Sequence, residues 1–142
     1  MSKNIPTLYK KKGVGELPLF RSLCVFNMFL TPLVINMDKD IKVTFGYNII
    51  KSLIYSIKLL RKSYTEKDLY KKLEYIEELY GEINDIELFT KMLFEMKRIS
   101  LKQQSNISIH FGDILMQLNG WKASVESNIN NKSNTNKNNL NI

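Results

Sequence analysis

The sequence has little of what side-chain catalysis and metal binding usually require. Its 142 residues include one histidine, His110, and one cysteine, Cys24. A Ser-His-Asp or Cys-His arrangement, or a site built from several His and Cys ligands, therefore has little material. A di-iron bundle needs two Glu-x-x-His pairs, and Ile107 stands where His110 would need its glutamate. With no Gly-rich phosphate loop either, we predict that the protein is not an enzyme and uses no cofactor or metal ion.

Long apolar runs are also missing. The uncharged stretch at residues 22–37 is interrupted by Asn27, Thr31 and Pro32, and it is shorter than the ~20 apolar residues of a membrane span. No small-residue cleavage site follows it, so a signal peptide is not indicated. A lone cysteine excludes an internal disulfide and suits a reducing compartment. We expect a cytoplasmic protein that does not insert into a membrane.

Proline and glycine are scarce, and the apolar residues recur at spacings of three and four, which predicts helices rather than strands. The first predicted helix begins near Glu16 and the second near Asp38 or Asp40. A box of the form T-x-x-D at Thr65 would open the third, and the box S-x-x-Q at Ser100 opens the fourth. Four helices joined by short turns predict an all-α fold, an up-down-up-down antiparallel four-helix bundle.

Two glycines inside these helices invite an explanation. Gly46 lies in the second helix, where a glycine destabilises a helix by roughly 1 kcal/mol relative to alanine, and a close neighbouring helix would account for it. Asn119-Gly120 would normally end a helix, yet Trp121 keeps the register of the apolar stripe that includes Phe111 and Leu118. We predict that the fourth helix continues through this point, with Gly120 packed tightly against a neighbour.

The ends of the chain differ in composition from its middle. Residues 1–16 are polar and basic and are predicted to be a flexible arm, and residues 17–126 form the predicted bundle. Residues 127–142 are rich in asparagine, serine and lysine and have few apolar side chains to bury. That composition predicts a disordered tail.

The net charge of +7 favours an acidic partner, with nucleic acid first and an anionic membrane surface second. Basic residues recur along the second helix with one aromatic among them, and they form a stripe that could follow phosphates while the ring stacks on a base. The candidate nucleic-acid-binding residues are Arg21, Lys51, Tyr55, Lys58, Arg61 and Lys62. The alternative is a solvated face whose cations pair with the acidic residues of the third helix.

The fourth helix carries only Lys102 and Asp113 as full charges between Leu101 and Trp121. A helix so poor in charge is seldom half exposed, so it is either central in the bundle or in contact with another subunit. We favour the second interpretation. The candidate interface is a small, polar side formed by Ser105, Ser108, Gly112 and Asn119.

Residues 99–124, "ISLKQQSNISIHFGDILMQLNGWKAS", resemble the last helix of the accessory variability determinant proteins of diversity-generating retroelements. In that family the helix begins at a Ser-Leu-Lys-Gln-like cap and ends in Gly-Trp followed by a basic, small segment. "LTPLVINMDKD" and "TFGYNI" are similar to the end of helix 1 and the start of helix 2 in the family, so the resemblance spans residues 17–124. The chain departs from the family in having Asn119 where a second glycine is usual, and in a more acidic third helix.

The resemblance implies a bundle that assembles as a homopentameric barrel in the cytoplasm of a bacterium or a phage-infected cell. It implies binding of the element's RNA, including a cDNA hybrid, and of its reverse transcriptase, in support of mutagenic cDNA synthesis. Two alternatives stay open. One is a four-helix bundle protein of the type encoded in intervening sequences of ribosomal RNA genes, and the other is a helical protein-protein scaffold that does not bind nucleic acid.

Overall fold

The structure is a computed structural model, and it describes residues 13, 15 and 17–140. Within them the chain forms four main helices and no strand. Helix α1 is Pro18–Ile35, α3 is Leu69–Glu95 and α4 is Leu101–Leu140. Helix α2 has an α-helical body, Tyr47–Thr65, preceded by a turn, Lys39–Ile41, and a π-helical segment, Lys42–Gly46. The all-α prediction is confirmed.

Each helix packs against its neighbours in the order α1, α2, α3, α4 and back to α1. The direction alternates, as cross-helix contacts show. Ser22 and Phe29 of α1 meet Gln117 and His110 of α4 in reversed order along the chain. The same reversal joins Tyr55 and Ser63 of α2 to Glu78 and Lys72 of α3, and Glu77 and Tyr80 of α3 to Lys122 and Asn119 of α4. This arrangement is compatible with an up-down-up-down four-helix bundle.

The core lies along the inner stripes that the spacing predicts. It is built almost wholly from leucine, isoleucine and phenylalanine, whose burial drives folding because it removes apolar surface from water. Fully buried members include Leu23, Phe26, Ile49, Leu53, Leu59, Leu60, Ile76, Leu79, Ile83, Ile86, Leu93 and Ile107. The stripe of α4 continues as Ile114, Leu118 and Val125.

One predicted cap is confirmed and the other is wrong. The Gln103 N–H donates to Ser100 Oγ at 3.1 Å, and the Ser100 N–H donates to Gln103 Oε1 at 2.8 Å, which is a complete capping box. At α3 the N-cap is Asp68, whose carboxylate accepts from the N–H groups of Tyr70 and Lys71. Thr65 is instead the last residue of α2, where its hydroxyl donates to the carbonyl of Arg61 and the backbone becomes extended at Glu66.

The explanation proposed for glycine is confirmed at Gly46 and wrong at Gly120. A Cβ on Gly46 would lie 2.7 Å from Val34 Cγ1, so α1 and α2 approach too closely there for any side chain. Gly120 is exposed, and a Cβ there would meet nothing within 4 Å. The helix nevertheless continues through Asn119-Gly120 as predicted, and Trp121 is half-buried against the core.

The end of the chain differs from its predicted disorder, because α4 continues to Leu140. No proline or glycine follows Gly120, and Ile129 is half-buried and extends the inner stripe by one more turn. The remaining side chains of this segment are mostly exposed. Apart from Gly13 and Gly15, the predicted arm at residues 1–16 lies outside the described residues.

Helix α1 is long and apolar enough to span a membrane by length and composition, and it is the one such helix among the described residues. In this fold its buried stripe, from Leu19 to Val34, belongs to the bundle core. A core helix with that composition passes the same test.

Candidate nucleic-acid interface and assembly surface

The outer face of α2 carries the predicted basic stripe. Lys51, Lys58, Arg61 and Lys62 are all exposed. None of the ion pairs among the described residues involves any of the four. These four cations therefore form no ion pair with the acids of α3 among the described residues, and they are exposed, as the cations of a solvated face would also be. They form a row of exposed positive charge, a feature that attracts phosphates by counterion release, while the carboxylates of Glu78 and Glu82 act on Tyr55 within the same face.

Tyr55 is the member of the stripe that contacts α3 through a side-chain hydrogen bond. Its hydroxyl donates to Glu78 Oε1 at 2.5 Å, and its ring is half-buried. The hydrogen bond to Glu78 raises the pKa of Tyr55 above its usual value, because the carboxylate favours the protonated phenol. The structure therefore places Tyr55 in the contact between α2 and α3, with its hydroxyl already engaged.

Arg21 lies apart from the other candidate nucleic-acid-binding residues. It is exposed on α1 and lines a groove of about 320 Å³ between α1 and α4, with Val25 and Ile109. The structure thus brings together the four cations of α2 but does not bring Arg21 to them.

The predicted assembly residues lie on the outer face of α4. Ser105, Ser108, Gly112 and Asn119 are all exposed, and helical geometry places them within about 60° of one another around the axis. A Cβ on Gly112 would meet open space. The Asn119 side-chain oxygen accepts a hydrogen bond from the Tyr80 hydroxyl, so this residue is partly engaged with α3.

The same face carries large apolar residues that the sequence interpretation missed. Leu101 is 70% exposed, Ile109 is 71% exposed and Met116 is 68% exposed. Val25 of α1, 53% exposed, extends this surface across the groove between α1 and α4. The signal was present in the sequence, because Ile109 follows the buried Ile107 by two residues, or about 200° around a helix.

Asp113, one of the two full charges in this part of α4, is exposed and hydrogen-bonded to two neighbouring side chains. Ser22 Oγ donates to its carboxylate at 2.7 Å, and Gln117 Nε2 donates to it at 3.0 Å. Gln117 also donates to Ser22 Oγ at 2.8 Å, which links α1 to α4. The only carboxylate between Leu101 and Trp121 is therefore already bound by two partners.

A polar cluster joins α3 to the other side of α4. Lys122 Nζ lies 2.7 Å from Glu77 Oε1, and the hydrogen bond to Glu77 raises the pKa of Lys122. Burial raises the pKa of the neighbouring Tyr80, while the charge of Lys122 opposes that shift. Both raised pKa values favour the protonated side chains, so their contribution to stability is present at neutral pH and is lost at strongly alkaline pH.

The residues with possible catalytic chemistry are dispersed. The His110 ring packs between Phe26 and Phe29, with centroid distances of 5.3 and 5.1 Å. Cys24 is half-buried on α1. Among the described residues, no group of three or more His, Cys, Asp or Glu side chains could hold a metal ion.

Comparison with protein-family models, with curated proteins and with solved structures finds no match to this chain.

Proposed function

We propose that this chain is a non-catalytic accessory protein of a diversity-generating retroelement. It assembles with copies of itself and binds the element's RNA and reverse transcriptase during mutagenic cDNA synthesis. The observation that carries the proposal is the division of the bundle surface into two exposed faces of opposite character. The retroelement assignment itself rests on the resemblance of residues 99–124 to the last helix of that family.

The outer face of α2 supports RNA binding. Lys51, Lys58 and Lys62 follow one another at spacings of seven and four residues, so they form a row about 16 Å long at 1.5 Å per residue. A row of exposed cations without carboxylate partners binds polyanions through counterion release and does not read base sequence. That property suits an accessory protein that holds a long RNA while another protein copies it.

The outer face of α4 supports self-assembly. Leu101, Ile109 and Met116 are large apolar side chains in water, and the residues between them are small enough to admit a partner's side chains. Covering this face would be favourable by about 25 cal/mol per Å² of apolar area. A face that contacts a different face of the next copy generates a ring when the rotation closes. The homopentamer is the ring that the family resemblance implies.

Assembly and RNA binding reinforce each other in this proposal. Each copy would present the same row of cations, so one RNA could contact several rows at once. Weak attraction at one row is then multiplied by avidity, provided that the RNA spans the distance between rows. The reverse transcriptase would bind to the assembled particle rather than to a single chain.

Co-purification and RNA binding together test the proposal. We expect the chain to form a discrete oligomer in light scattering, to bind RNA with an affinity that falls steeply with salt, and to co-purify with a reverse transcriptase encoded beside its gene. cDNA synthesis from the element's template RNA should require the chain. RNA binding without a neighbouring reverse transcriptase would instead support the ribosomal intervening-sequence class.

If the chain is monomeric at tens of micromolar and does not bind RNA at low salt, both the retroelement hypothesis and the ribosomal intervening-sequence hypothesis are contradicted. That result would leave the protein-protein scaffold as the remaining interpretation.

A further inference from the structure

The end of the bundle where α2 meets α3 is strongly basic. Seven cations belong to the last turn of α2, to the start of α3 or to the part of α4 beyond Glu126: Arg61, Lys62, Lys67, Lys71, Lys72, Lys132 and Lys137. We call this set the basic end. Only two carboxylates, Glu66 and Asp68, belong to the same segments.

Both carboxylates at the basic end are already engaged with backbone donors. Asp68 Oδ1 accepts from the N–H of Tyr70 at 3.0 Å and from that of Lys71 at 3.4 Å. Glu66 Oε1 accepts from the Asp68 N–H at 3.2 Å. None of the seven cations takes part in an ion pair among the described residues. Their charge is therefore available to an outside anion.

A groove of about 330 Å³ opens at this end, between the start of α3 and the extension of α4. Its lining includes Leu69 and Ile129, which are apolar and half-buried, the exposed Lys67 and Lys132, and Asp68, whose carboxylate caps α3. Tyr70 also lines it and is 64% exposed, so its ring is open to a flat partner. We call this feature the α3–α4 groove.

We infer that the α3–α4 groove is a second RNA contact, which takes a single-stranded segment of the same RNA that the outer face of α2 holds. Lys67 and Lys132, which line the groove, and the exposed Lys71, one residue beyond the lining Tyr70, would contact phosphates, and Tyr70 would stack on an unpaired base. Asn136, which also lines the groove, has an amide group that can both donate to and accept from a base edge. This inference rests on the proposed function, because it assumes that RNA is the partner.

The inference also gives a role to the part of α4 beyond Glu126. Beyond Glu126 the helix carries Lys132 and Lys137 and no carboxylate, and its contribution to the core is limited mainly to Ile129. Such a segment adds little to folding. It does supply one wall of the α3–α4 groove, to which it contributes Lys132.

The test uses the full chain, a labelled single-stranded oligouridylate, and binding measured across a series of salt concentrations. Lys67, Lys71 and Lys132 are changed together to glutamine. The matched control changes Lys39, Lys97 and Lys102 to glutamine, which removes the same charge from exposed positions at the opposite end of the bundle. We expect the groove variant to lower the salt slope by about two units and the control to leave it nearly unchanged.

Variants of Tyr70 distinguish a site that stacks a base from a surface that is only positively charged. Tyr70→Ala should weaken binding of the single strand about 5- to 100-fold with little change of salt slope, while Tyr70→Phe keeps the ring and should bind like the parent. Binding to duplex RNA, whose bases are already paired, should be much less affected. Circular dichroism checks that each variant remains helical.

Three results would overturn the inference. In the first, the groove variant and its control lose the same affinity for oligouridylate. In the second, Tyr70→Ala does not change that affinity. In the third, Tyr70→Ala weakens binding of polyglutamate as much as binding of oligouridylate, which would indicate an acidic protein partner. If the groove variants bind normally while glutamine at Lys51, Lys58, Arg61 and Lys62 abolishes binding, this inference fails and the proposed function stands. A parent chain that does not bind RNA would contradict both.

Discussion

The outer faces of α2 and α4 are both exposed, yet contact with water is favourable for the charged side chains of one and unfavourable for the apolar side chains of the other. The face of α2 carries Lys51, Lys58 and Lys62, whose charges are well solvated and costly to bury without a partner. The face of α4 carries Ile109 and Met116, whose exposure is itself unfavourable. One face is suited to a partner that stays hydrated and charged, and the other to a partner that excludes water.

In the proposed function, this difference assigns self-assembly and RNA binding to separate surfaces. An apolar interface loses stability when charges are buried in it, and phosphate contacts on the α2 face come from its cations rather than from Ile54, which is 45% exposed on the same face. Placing the two on different helices allows assembly and RNA binding to occur on the same particle. The comparison also predicts that the two activities can be removed separately.

The largest expected effect comes from removing the charge of the α2 face. Changing Lys51, Lys58, Arg61 and Lys62 together to glutamine should lower the salt slope of RNA binding by roughly three units, at 0.7 to 0.9 per lost phosphate contact. The effect should be similar for RNAs of different sequence, because backbone contacts carry no sequence information. Fluorescence anisotropy over a salt series measures it.

A charge-matched control distinguishes position from total charge. Glutamine at Lys39, Lys42, Lys97 and Lys102 lowers the net charge equally at the far end of the bundle. If that variant loses as much affinity as the α2 variant, the row on α2 is an ordinary solvated face.

The second-largest effect is expected on self-assembly through the α4 face. Gly112→Glu places a carboxylate among the small residues of the charge-poor α4 face, where burial in a subunit contact without a partner would cost several kcal/mol. Light scattering should show smaller species, while circular dichroism stays unchanged because Gly112 faces open space within the chain. Lys58→Glu on the α2 face serves as the control and should assemble normally. An unchanged particle size for Gly112→Glu would place the subunit contact elsewhere.

Local sequence patterns predicted the fold well, because helix spacing and caps depend on neighbours along the chain. The Ser100 capping box is an example, since all its partners lie within three residues. The box at Thr65 failed because two residues of that segment can cap a helix, and Asp68 does so while Thr65 closes α2. The choice between them depends on where the two helices pack.

The candidate surfaces were harder to predict, because they depend on contacts across the bundle. The spacing showed that Tyr55 shares a face with the cations, but not that its hydroxyl meets Glu78, 23 residues away. Likewise, the composition of α4 suggested an interface of small residues, whereas its most exposed apolar members, such as Ile109, have side chains normally assigned to a core.

A third, smaller effect sharpens the comparison by testing how α2 is oriented. The outer face of α2 is defined by the inner contact at Gly46, where a Cβ would lie 2.7 Å from Val34 Cγ1. Gly46→Ala should therefore destabilise the fold by about 1–3 kcal/mol through overpacking. Gly81→Ala, in open space on α3, should instead stabilise it by about 0.5–1 kcal/mol. Urea unfolding of the two variants checks this, and an equal gain at both positions would mean that α1 and α2 do not meet closely at Gly46.

The smallest effect is expected on stability, when the second half of α4 is removed. Its first half carries the apolar outer face, whereas among the side chains described at residues 128–139 only Ile129 packs against the core and most others are polar and exposed. Ending the chain after Ser127 should therefore lower the free energy of unfolding by about 1 kcal/mol, because a half-buried isoleucine contributes only part of the 1.5–3 kcal/mol of full burial. Ile129→Ala in the full-length chain should reproduce most of that loss in urea unfolding. Particle size in light scattering should not change, since Leu101, Ile109 and Met116 remain in place. A shortened chain that no longer assembles would show that the subunit contact lies in the second half of α4, and that the apolar outer face of the first half has another partner.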